Sequence, residues 1–186
     1  MKNLELPLDS KRLLLRDFTM DDADTIQKIA EFPGFHFVLL DGKDPETGKK
    51  FITKCTNAAA ETDPESGLRL HYRLAVTVRD TKELAGYIGL FNIDYKRGDG
   101  EIGFFIAPSL QGNGYASEAA DNLIKAAWDQ IGLSNVYATA REDNVISQRI
   151  IEKLGMKKES VVPNQYKDDV STRLLFRRTL GNGPIL

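Results

Sequence analysis

The clearest pattern along the chain is a stripe of apolar residues at spacings of three and four between positions 116 and 131. This spacing places the apolar side chains on one helical face, and Gly132 follows as a C-terminal cap. Capping signals at Thr19, Asp44 and Asn144 predict three further helices, each with a shorter apolar stripe behind it. Apolar runs bounded by turn residues predict strands at positions 11–16, 70–78, 84–93, 101–107, 136–140, 157–162 and 171–179.

The order of these elements predicts the fold class. One strand precedes two helices and a three-stranded meander, and helix, strand, helix and two strands follow. This order is typical of an α+β fold around one mixed, largely antiparallel sheet. The length of 186 residues corresponds to a single domain, residues 1–186, with a tail at about 181–186 that is expected to be frayed.

Composition and charge exclude several classes of protein. The 25 Lys and Arg and 27 Asp and Glu give a formal net charge of −2, so neither nucleic acid nor a membrane surface is an expected partner. A single cysteine, Cys55, and two scattered histidines predict neither a disulfide nor a metal site. Cys55 lies on the apolar side of a predicted helix and is interpreted as a small buried hydrophobe. We expect a cytoplasmic protein.

A glycine-rich loop, Gln111-Gly112-Asn113-Gly114, opens the clearest helix and is the first candidate for chemistry. Glycines let successive backbone N–H groups point into one concavity, and the helix N-terminus adds partial positive charge, so the loop suits a phosphate or pyrophosphate. A plain turn that starts a helix explains the same residues equally well. A Walker loop is disfavoured because no Lys-Ser/Thr pair follows, and a dinucleotide-binding fingerprint because its third glycine is missing.

Several motifs together resemble the GNAT superfamily of N-acetyltransferases, and within it the ribosomal-protein N-terminal (Rim-type) acetyltransferase branch. Residues 111–116 match the acyl-CoA pyrophosphate loop of that superfamily, Gln/Arg-x-x-Gly-x-Gly/Ala. The resemblance extends from about residue 12 to residue 179 and is weakest between 32 and 69. The supporting motifs are Arg12-Leu13-Leu14-Leu15-Arg16, Gly100-Glu101-Ile102-Gly103-Phe104, Ser117-Glu118-Ala119, Asn144-x-x-Ser147 and Glu152-Lys153-Leu154-Gly155-Met156.

The resemblance implies central strands that splay apart in a V, about four flanking helices, and acetyl-CoA as co-substrate. The acetyl-pantetheine arm is expected to lie in the opening and to pair with the strand at 101–107, as an added strand would. The residues expected to bind acetyl-CoA are Phe104, Ile106, Gln111, Gly112, Asn113, Gly114, Tyr115, Ala116 and Asn144.

Direct attack of an amine on a thioester requires a base, an oxyanion donor and a proton for sulfur. Glu101 is the candidate base, acting through water, and Glu118 is a rival that also suits a structural role near the helix N-terminus. Ser147 is the candidate proton donor, although Asn144 and Ser147 fit a simple helix cap as well. Ile151 stands where many members of the superfamily have a tyrosine acid, so unassisted departure of the thiolate is an alternative.

Acceptor residues are expected where the sequence is most individual, in the first inter-helix loop and on the strand after the second helix. The expected acceptor is a primary amine, with a protein N-terminal α-amine as first choice. A small-molecule N-acetyltransferase for a polyamine or aminoglycoside and a non-catalytic acyl-CoA-binding module are the alternatives, and the assembly is either a monomer or a homodimer. The candidate acceptor residues are Phe35, His36, Phe37 and Tyr72, with Arg69, His71 and Arg73 beside them.

Overall fold

A single eight-stranded sheet forms the centre of the molecule in the computed structural model, which describes residues 1–163 and 172–180. The strands are Leu8–Asp9 (β1), Leu13–Asp17 (β2), Tyr72–Val78 (β3), Leu84–Asp94 (β4), Asp99–Ile106 (β5), Asn135–Arg141 (β6), Lys157–Val162 (β7) and Arg173–Thr179 (β8). Their order across the sheet is β1-β2-β3-β4-β5-β6-β8-β7. Neighbouring strands are antiparallel, except that β5 and β6 run parallel.

Helices cover both faces of this sheet, and they are Ala23–Ala30 (α1), Thr47–Ala60 (α2), Tyr115–Ala126 (α3) and Val145–Lys153 (α4). The first two helices pack on one face through Ile26 and Phe51, and the last two pack on the other through Leu123 and Ile151. Since both faces are covered, β3 and most of β4 are buried on both sides. The predicted α+β fold with four helices is confirmed.

The sheet opens between its two parallel strands. Among the described residues, three successive positions of β5 pair with β6, and beyond Glu101 the two strands share no register. From there β5 continues to Ile106 and β6 to Arg141, each paired with its other neighbour and not with the other strand of this pair. This divergence forms the predicted V, with Glu101 at its closed end. The three pairs are Asp99–Asn135, Gly100–Val136 and Glu101–Tyr137.

The connection between the two arms of the V positions the glycine-rich loop. The chain leaves β5 through a 3₁₀ turn at Pro108–Leu110, follows the loop, and enters α3. A π-helical segment, Ala127–Ile131, continues that helix to Gly132, whose φ of +83° ends it. Parallel strands need a crossover of this length, and it leaves the loop at the open end of the V.

Element ends differ from prediction in ways that have local causes. Thr19 forms the predicted capping box with Asp22, but the first turn behind it is 3₁₀ and α1 begins at Ala23. The second helix begins at Thr47, because Asp44 Oδ1 accepts the Glu46 N–H at 3.0 Å and stabilises a turn there. The strand β1 has two residues and no periodicity that a sequence could show. The last strand begins at residue 173, and residue 171 and the tail 181–186 lie outside the described residues.

Candidate active site

The loop at residues 111–116 forms a backbone cradle in front of α3. Gly112 and Gly114 have φ angles of +80° and +78°, in the left-handed region that favours glycine. A Cβ atom on Gly112 would meet nothing within 4 Å, so the loop is open on that side. The side chains of Gln111 and Asn113 turn back into the protein, donating to the carbonyl oxygens of Ile106 at 3.0 Å and of residue 110 at 3.1 Å.

The free donors of this cradle fit a pyrophosphate. Within the part of the chain that the structure describes, the backbone N–H groups of Gly112, Asn113 and Gly114 have no hydrogen-bond partner. Gly114 also precedes the first turn of α3, where the N–H groups have no partner within the helix. Unpaired donors at a helix N-terminus form a site for anionic oxygen atoms. Tyr115 and Ala116 continue this turn and pack against the core beneath it.

Arg12, one residue before β2, holds the loop from outside. Its Nη1 atom donates to the carbonyl oxygen of Asn113 at 2.9 Å, its Nε atom lies 2.7 Å from Glu118 Oε2, and its guanidinium is 4.9 Å from the centre of the Tyr115 ring. The other carboxylate oxygen of Glu118 accepts from the Ser10 hydroxyl and the Arg12 N–H, each at 2.7 Å. Arg12 and Glu118 therefore connect the loop and the start of α3 to the start of β2, which is a structural role for Glu118. The sequence did not reveal this contact of Arg12 with the loop.

The surroundings of Glu118 also fix its charge. Burial alone would raise the pKa of Glu118, but the hydrogen bonds from Ser10 and Arg12 outweigh burial and lower it. A carboxylate held ionised by three donors is a poor proton acceptor. These contacts favour Glu101 over Glu118 as the base.

Glu101 lies at the closed end of the V and is 9% exposed. Phe105, four residues further along the same strand, packs with α1 and α2, so the alternation of side chains directs Glu101 to that face. Its Oε2 atom accepts a hydrogen bond from Asn92 Nδ2 at 2.9 Å. Burial raises the pKa of Glu101, against the opposing hydrogen bonds from Asn92 and Thr139 and the positive charge of Arg173. A raised pKa makes this carboxylate a stronger base than an exposed glutamate.

Asn92 owes its position to an irregularity in β4. The register between β4 and β5 shifts between Phe91 and Asp94, and Asn92 adopts a φ of +52°, which asparagine tolerates better than most residues. Its backbone N–H donates to His71 Nδ1 at 3.3 Å, and His71 Nε2 lies 3.1 Å from Glu61 Oε2. A chain of contacts thus connects Glu101 through Asn92 to His71. The sequence signal for Asn92 was a polar residue within an apolar strand, and it was missed.

Past Glu101, the edge of β5 that faces β6 pairs with no other strand of the described structure. This edge leaves main-chain groups available to an extended ligand that carries amides. Phe104 and Ile106 point from it towards α3, where Ile106 is buried and Phe104 is half-buried against the core. The predicted acetyl-CoA residues of β5 and of the loop are therefore adjacent along one side of the opening.

Asn144 and Ser147 begin α4 directly after the other arm of the V. Asn144 is the N-cap, and its Oδ1 atom accepts the Ser147 backbone N–H at 3.0 Å. The Ser147 hydroxyl has no hydrogen-bond partner among the described residues, so it is free to contact a ligand. Ile151, one turn further, is 2% exposed in the core and offers no proton.

Two of the predicted acceptor residues cover the face on which Glu101 lies. Phe35 and Phe37 pack on Phe105 with ring centroids 5.4 Å and 4.8 Å apart. His36, between them, is exposed. The loop between α1 and α2 therefore covers the open end of the V on the face where α1 and α2 pack.

Tyr72 points to the opposite face, which does not fit the predicted role in acceptor binding. It is 1% exposed, its hydroxyl donates to Asn3 Oδ1 at 2.8 Å, and the Tyr72 hydroxyl oxygen accepts the Leu4 N–H at 3.1 Å. Arg69 is likewise engaged, with Nη2 2.7 Å from Asp17 Oδ1. Since neighbouring strand residues alternate between faces, burial of Tyr72 places Arg73 on the side of Glu101.

Other chemistry is poorly supported by the described residues. Cys55 is 2% exposed, and burial raises its pKa to about 12, so it is a thiol near neutral pH. No group of three or more His, Cys, Asp or Glu side chains in residues 1–163 and 172–180 is placed to hold a metal ion. In the same ranges, no helix combines the length and apolar character required to cross a bilayer.

Comparisons with known proteins agree with this geometry. A family model described as an acetyltransferase (GNAT) domain matches residues 12–157. YoaA of Bacillus subtilis strain 168, named an uncharacterized N-acetyltransferase, is 33% identical over 156 residues, which cover 83% of this chain and 85% of YoaA. The resemblance predicted from the motifs is confirmed at the level of the family.

Solved structures share the fold. A Vibrio cholerae protein provisionally assigned as a ribosomal-protein-serine acetyltransferase matches with a TM-score of 0.79 at 21% identity, covering 96% of this chain and 99% of that one. A chimera of the Vibrio cholerae spermidine N-acetyltransferase SpeG with hSSAT matches with a TM-score of 0.74 at 16% identity, covering 91% and 96%. At these identities the likeness establishes the fold and leaves the acceptor open.

Proposed function

Because the chain belongs to the GNAT acetyltransferases, which transfer an acetyl group from acetyl-CoA to an amine, we propose that its preferred acceptor is the α-amine of a protein N-terminus. The observation that carries this proposal is the buried carboxylate of Glu101 at the closed end of the V, whose pKa is raised by burial.

Acetyl-CoA would bind along the open side of the V. The cradle at residues 111–116 would hold the pyrophosphate through the N–H groups of Gly112, Asn113 and Gly114. The unpaired edge of β5 would pair with the pantetheine amides and would direct the thioester towards Glu101. Asn144 caps α4, so its contribution to binding would be to fix the helix that presents Ser147.

In the proposed reaction, Glu101 accepts a proton from the ammonium form of the acceptor through a water molecule. The neutral amine nitrogen then attacks the thioester carbonyl, and the carbon–sulfur bond breaks as the amide forms. The Ser147 hydroxyl donates a proton to the departing sulfur and regains one from the nitrogen of the tetrahedral adduct, which becomes the amide nitrogen. The proton that Glu101 accepted is released to water, so the enzyme returns to its starting state. Departure without an acid is also feasible, since a thiol has a reference pKa of about 8.5 and its thiolate is a good leaving group.

The choice of an α-amine follows from the acidity of the two kinds of amine. At pH 7 about 10% of an α-amine, but only about 0.04% of a lysine side chain, is neutral. The difference corresponds to roughly 3.4 kcal/mol of additional deprotonation or desolvation that a lysine acceptor would require. One base without a tyrosine acid at position 151 suits the acceptor that is already partly neutral.

The test is a competition within one peptide that carries both a free N-terminus and an internal lysine. Mass spectrometry should find the acetyl group mainly on the α-amine, and blocking the N-terminus should abolish most CoA release, whereas replacing the lysine should not. Acetylation mainly of lysine, or a higher kcat/KM for spermidine than for every peptide, would refute the proposal. A non-catalytic acyl-CoA-binding module would bind acetyl-CoA and release no CoA with any acceptor.

A further inference from the structure

A cavity of about 590 Å³ lies between α2 and the start of β3, on the face to which Glu101 points. Its volume is in the range of pockets that bind small molecules or a few residues of a peptide. The charged and titratable side chains that line it are Lys49, Lys50, Lys54, Glu61, His71 and Arg73.

The cations of this cavity outnumber its anions. Lys49 and Lys50 are partly compensated, since they lie 3.3 Å from Glu46 and 2.6 Å from Asp44. Lys54 forms no ion pair with any residue that the structure describes.

The carboxylate of the cavity offsets only one of the two remaining cations, Lys54 and Arg73, and the imidazole adds no charge. Glu61, the carboxylate of the lining, is engaged by His71. Burial lowers the pKa of His71, so its imidazole is neutral near pH 7. A net positive potential remains on the cavity side of α2.

Arg73 is the most informative residue of the lining. Its Nε atom is buried and has no hydrogen-bond partner in residues 1–163 and 172–180, and none of the carboxylates there forms an ion pair with it. A buried donor without a partner costs free energy that an anionic ligand would recover. The guanidinium lies 5.4 Å from the centre of the Phe91 ring, which orients it while leaving its edges free.

The cavity adjoins the site of proton transfer. Phe91, beneath Arg73, stands directly opposite Glu101 in the register of β4 and β5. His71 accepts the backbone N–H of Asn92, whose side chain donates to Glu101. Since neighbouring strands are about 4.8 Å apart, Arg73 on β3 is on the order of 10 Å from β5. An extended peptide covers that distance with about three residues at 3.3–3.6 Å each.

We propose that this cavity is an anion subsite for the acceptor, so that the preferred acceptor carries a carboxylate or phosphate about two to three residues' length from its amine, bound by Arg73 and Lys54. The inference rests on the proposed function, because it assumes that the amine binds beside Glu101. An acidic side chain at the second or third position of a protein N-terminus meets the requirement, as does the acidic group of a small amine. A polyamine does not, since its second ammonium would meet Arg73 and Lys54.

The experiment compares three peptides that differ only at positions 2 and 3, which are Glu, Gln or Lys. We expect kcat/KM to fall in the order Glu, Gln, Lys, by about tenfold from Glu to Gln, the factor that corresponds to 1.4 kcal/mol. Raising the salt concentration should reduce the differences in kcat/KM among the three peptides, because salt screens the attraction between the acidic side chains and the cavity. A second set of substrates consists of two small amines, one with a carboxylate and one with a phosphate. If the Glu peptide has the higher kcat/KM, the anion belongs to a protein N-terminus; if a small amine has it, the anion belongs to a small molecule.

Variants of the cavity residues test whether the preference for acidic peptides arises in the cavity. Lys54→Glu should reverse the order of the Glu and Lys peptides, and Arg73→Gln should reduce the Glu/Gln ratio towards one. Lys28→Gln changes an exposed lysine of α1 outside the cavity and should leave the ratio unchanged. Acetyl-CoA affinity should stay the same in all three variants. Because Arg73 is partly buried, its variant is interpreted only after a melting curve, and the exposed Lys54 supplies the independent test.

The outcomes separate this inference from the proposed function. Equal rates for the three peptides, or a fastest rate with spermidine, would overturn the anion subsite. Acetylation of neutral peptides at their α-amine without a charge preference would overturn the subsite and leave the proposed function standing. Binding of acetyl-CoA without acetylation of any acceptor would overturn both.

Discussion

Glu101 combines a structural cost of burial with the surroundings that the proposed role as a base requires. It is nine-tenths buried in a sheet whose other inward residues are mostly apolar. Burial disfavours the carboxylate, yet Asn92 donates a hydrogen bond to it, and Thr139 and the positive charge of Arg173 also act to lower its pKa, so the charged form stays accessible. A titratable group in this balance is typical of a proton acceptor, because its pKa is closer to that of the amine than an exposed glutamate's would be.

The first prediction replaces this carboxylate by an amide of the same shape. Glu101→Gln should lower kcat by about 10²-fold, the scale of general-base assistance, with acetyl-CoA affinity unchanged. The loss should be greatest at low pH, where less of the acceptor is neutral, so the acidic limb of the kcat/KM profile should move towards the α-amine pKa of about 8. Glu83→Gln, an exposed glutamate beside β4, is the matched control and should behave as wild type. A pH profile that is identical for wild type and Glu101→Gln would remove Glu101 from the mechanism.

Ser147 permits a clean separation of capping from catalysis, since the cap uses its backbone N–H and leaves its hydroxyl free. Ser147→Ala should therefore keep the melting temperature while lowering kcat by about 10²-fold or more if the hydroxyl is the acid. Asn144→Ala removes the cap itself and should cost about 1 kcal/mol of unfolding free energy with a smaller effect on kcat. A thioester with a more acidic thiol should partly rescue Ser147→Ala. Normal turnover by this variant would favour unassisted departure of the thiolate.

At the scale of elements, the loop at residues 111–116 depends on a partner from the other end of the chain. Its glycines supply the conformation, but Arg12 connects the loop to β2 through Asn113 and Glu118. The Arg12–Glu118 pair is half-exposed on the arginine side, so the charge alone contributes little. Its contribution is to fix the carbonyl of Asn113 in one orientation, and with it the peptide groups of the loop, whose N–H groups at residues 112–114 have no partner among the described residues.

The third prediction tests this connection. Arg12→Gln should weaken acetyl-CoA binding by about tenfold in calorimetry, because the cradle would no longer be held in its binding conformation. Acetyl-pantetheine, which has no pyrophosphate, should be used by Arg12→Gln as well as by wild type. Arg79→Gln, which changes an arginine bonded to Asp9 beside the same segment, is the control for general loosening of β2. Equal loss with both acyl donors would show that Arg12 acts on the fold and not on the loop.

Elements with strong local signals could be predicted from the sequence, whereas the orientation of strand residues could not. Asn144 and the glycines of the loop carry their own conformational preferences, and the structure has them at the predicted places. Tyr72 was a candidate acceptor residue, but the face to which it points could not be predicted, because β3 is covered on both sides and its sequence shows no alternation that would distinguish the faces. The position of Tyr72 is set by Asn3, 69 residues away in the chain, which no local pattern reveals.

At the scale of the whole molecule, the candidate site exists only because distant segments meet at the split in the sheet. Glu101 comes from β5, Asn92 from a distortion in β4, and Thr139 from β6. The motifs near residues 101, 111 and 144 could be read individually, but the cavity beside α2 depends on how that helix packs on β3. The motifs expected to bind acetyl-CoA could therefore be located in the sequence, whereas the cavity proposed to select the acceptor could not.

The last prediction concerns the stability of the entire fold, and it follows from the raised pKa of Glu101. A carboxyl group whose pKa is higher in the folded than in the unfolded protein binds more protons in the folded state. Stability from this group is therefore present at low pH, and it is lost as the pH rises from the unfolded pKa of about 4.3 through the folded value. The amide of the Glu101→Gln variant cannot ionise, so the variant does not lose stability in this way as the pH rises.

We expect Glu101→Gln to melt at a higher temperature than wild type at pH 8, and the difference to shrink or vanish at pH 4. The variant would thus gain stability where it loses activity, as is common when a functional group is buried at a cost to the fold. Glu118→Gln is the informative contrast, since the pKa of Glu118 is lowered by Ser10 and Arg12 and its ionised form stabilises the fold. That variant should melt lower than wild type at pH 8. Melting curves at the two pH values decide the matter, and a lower melting temperature for Glu101→Gln at pH 8 would mean that its hydrogen bonds outweigh its burial.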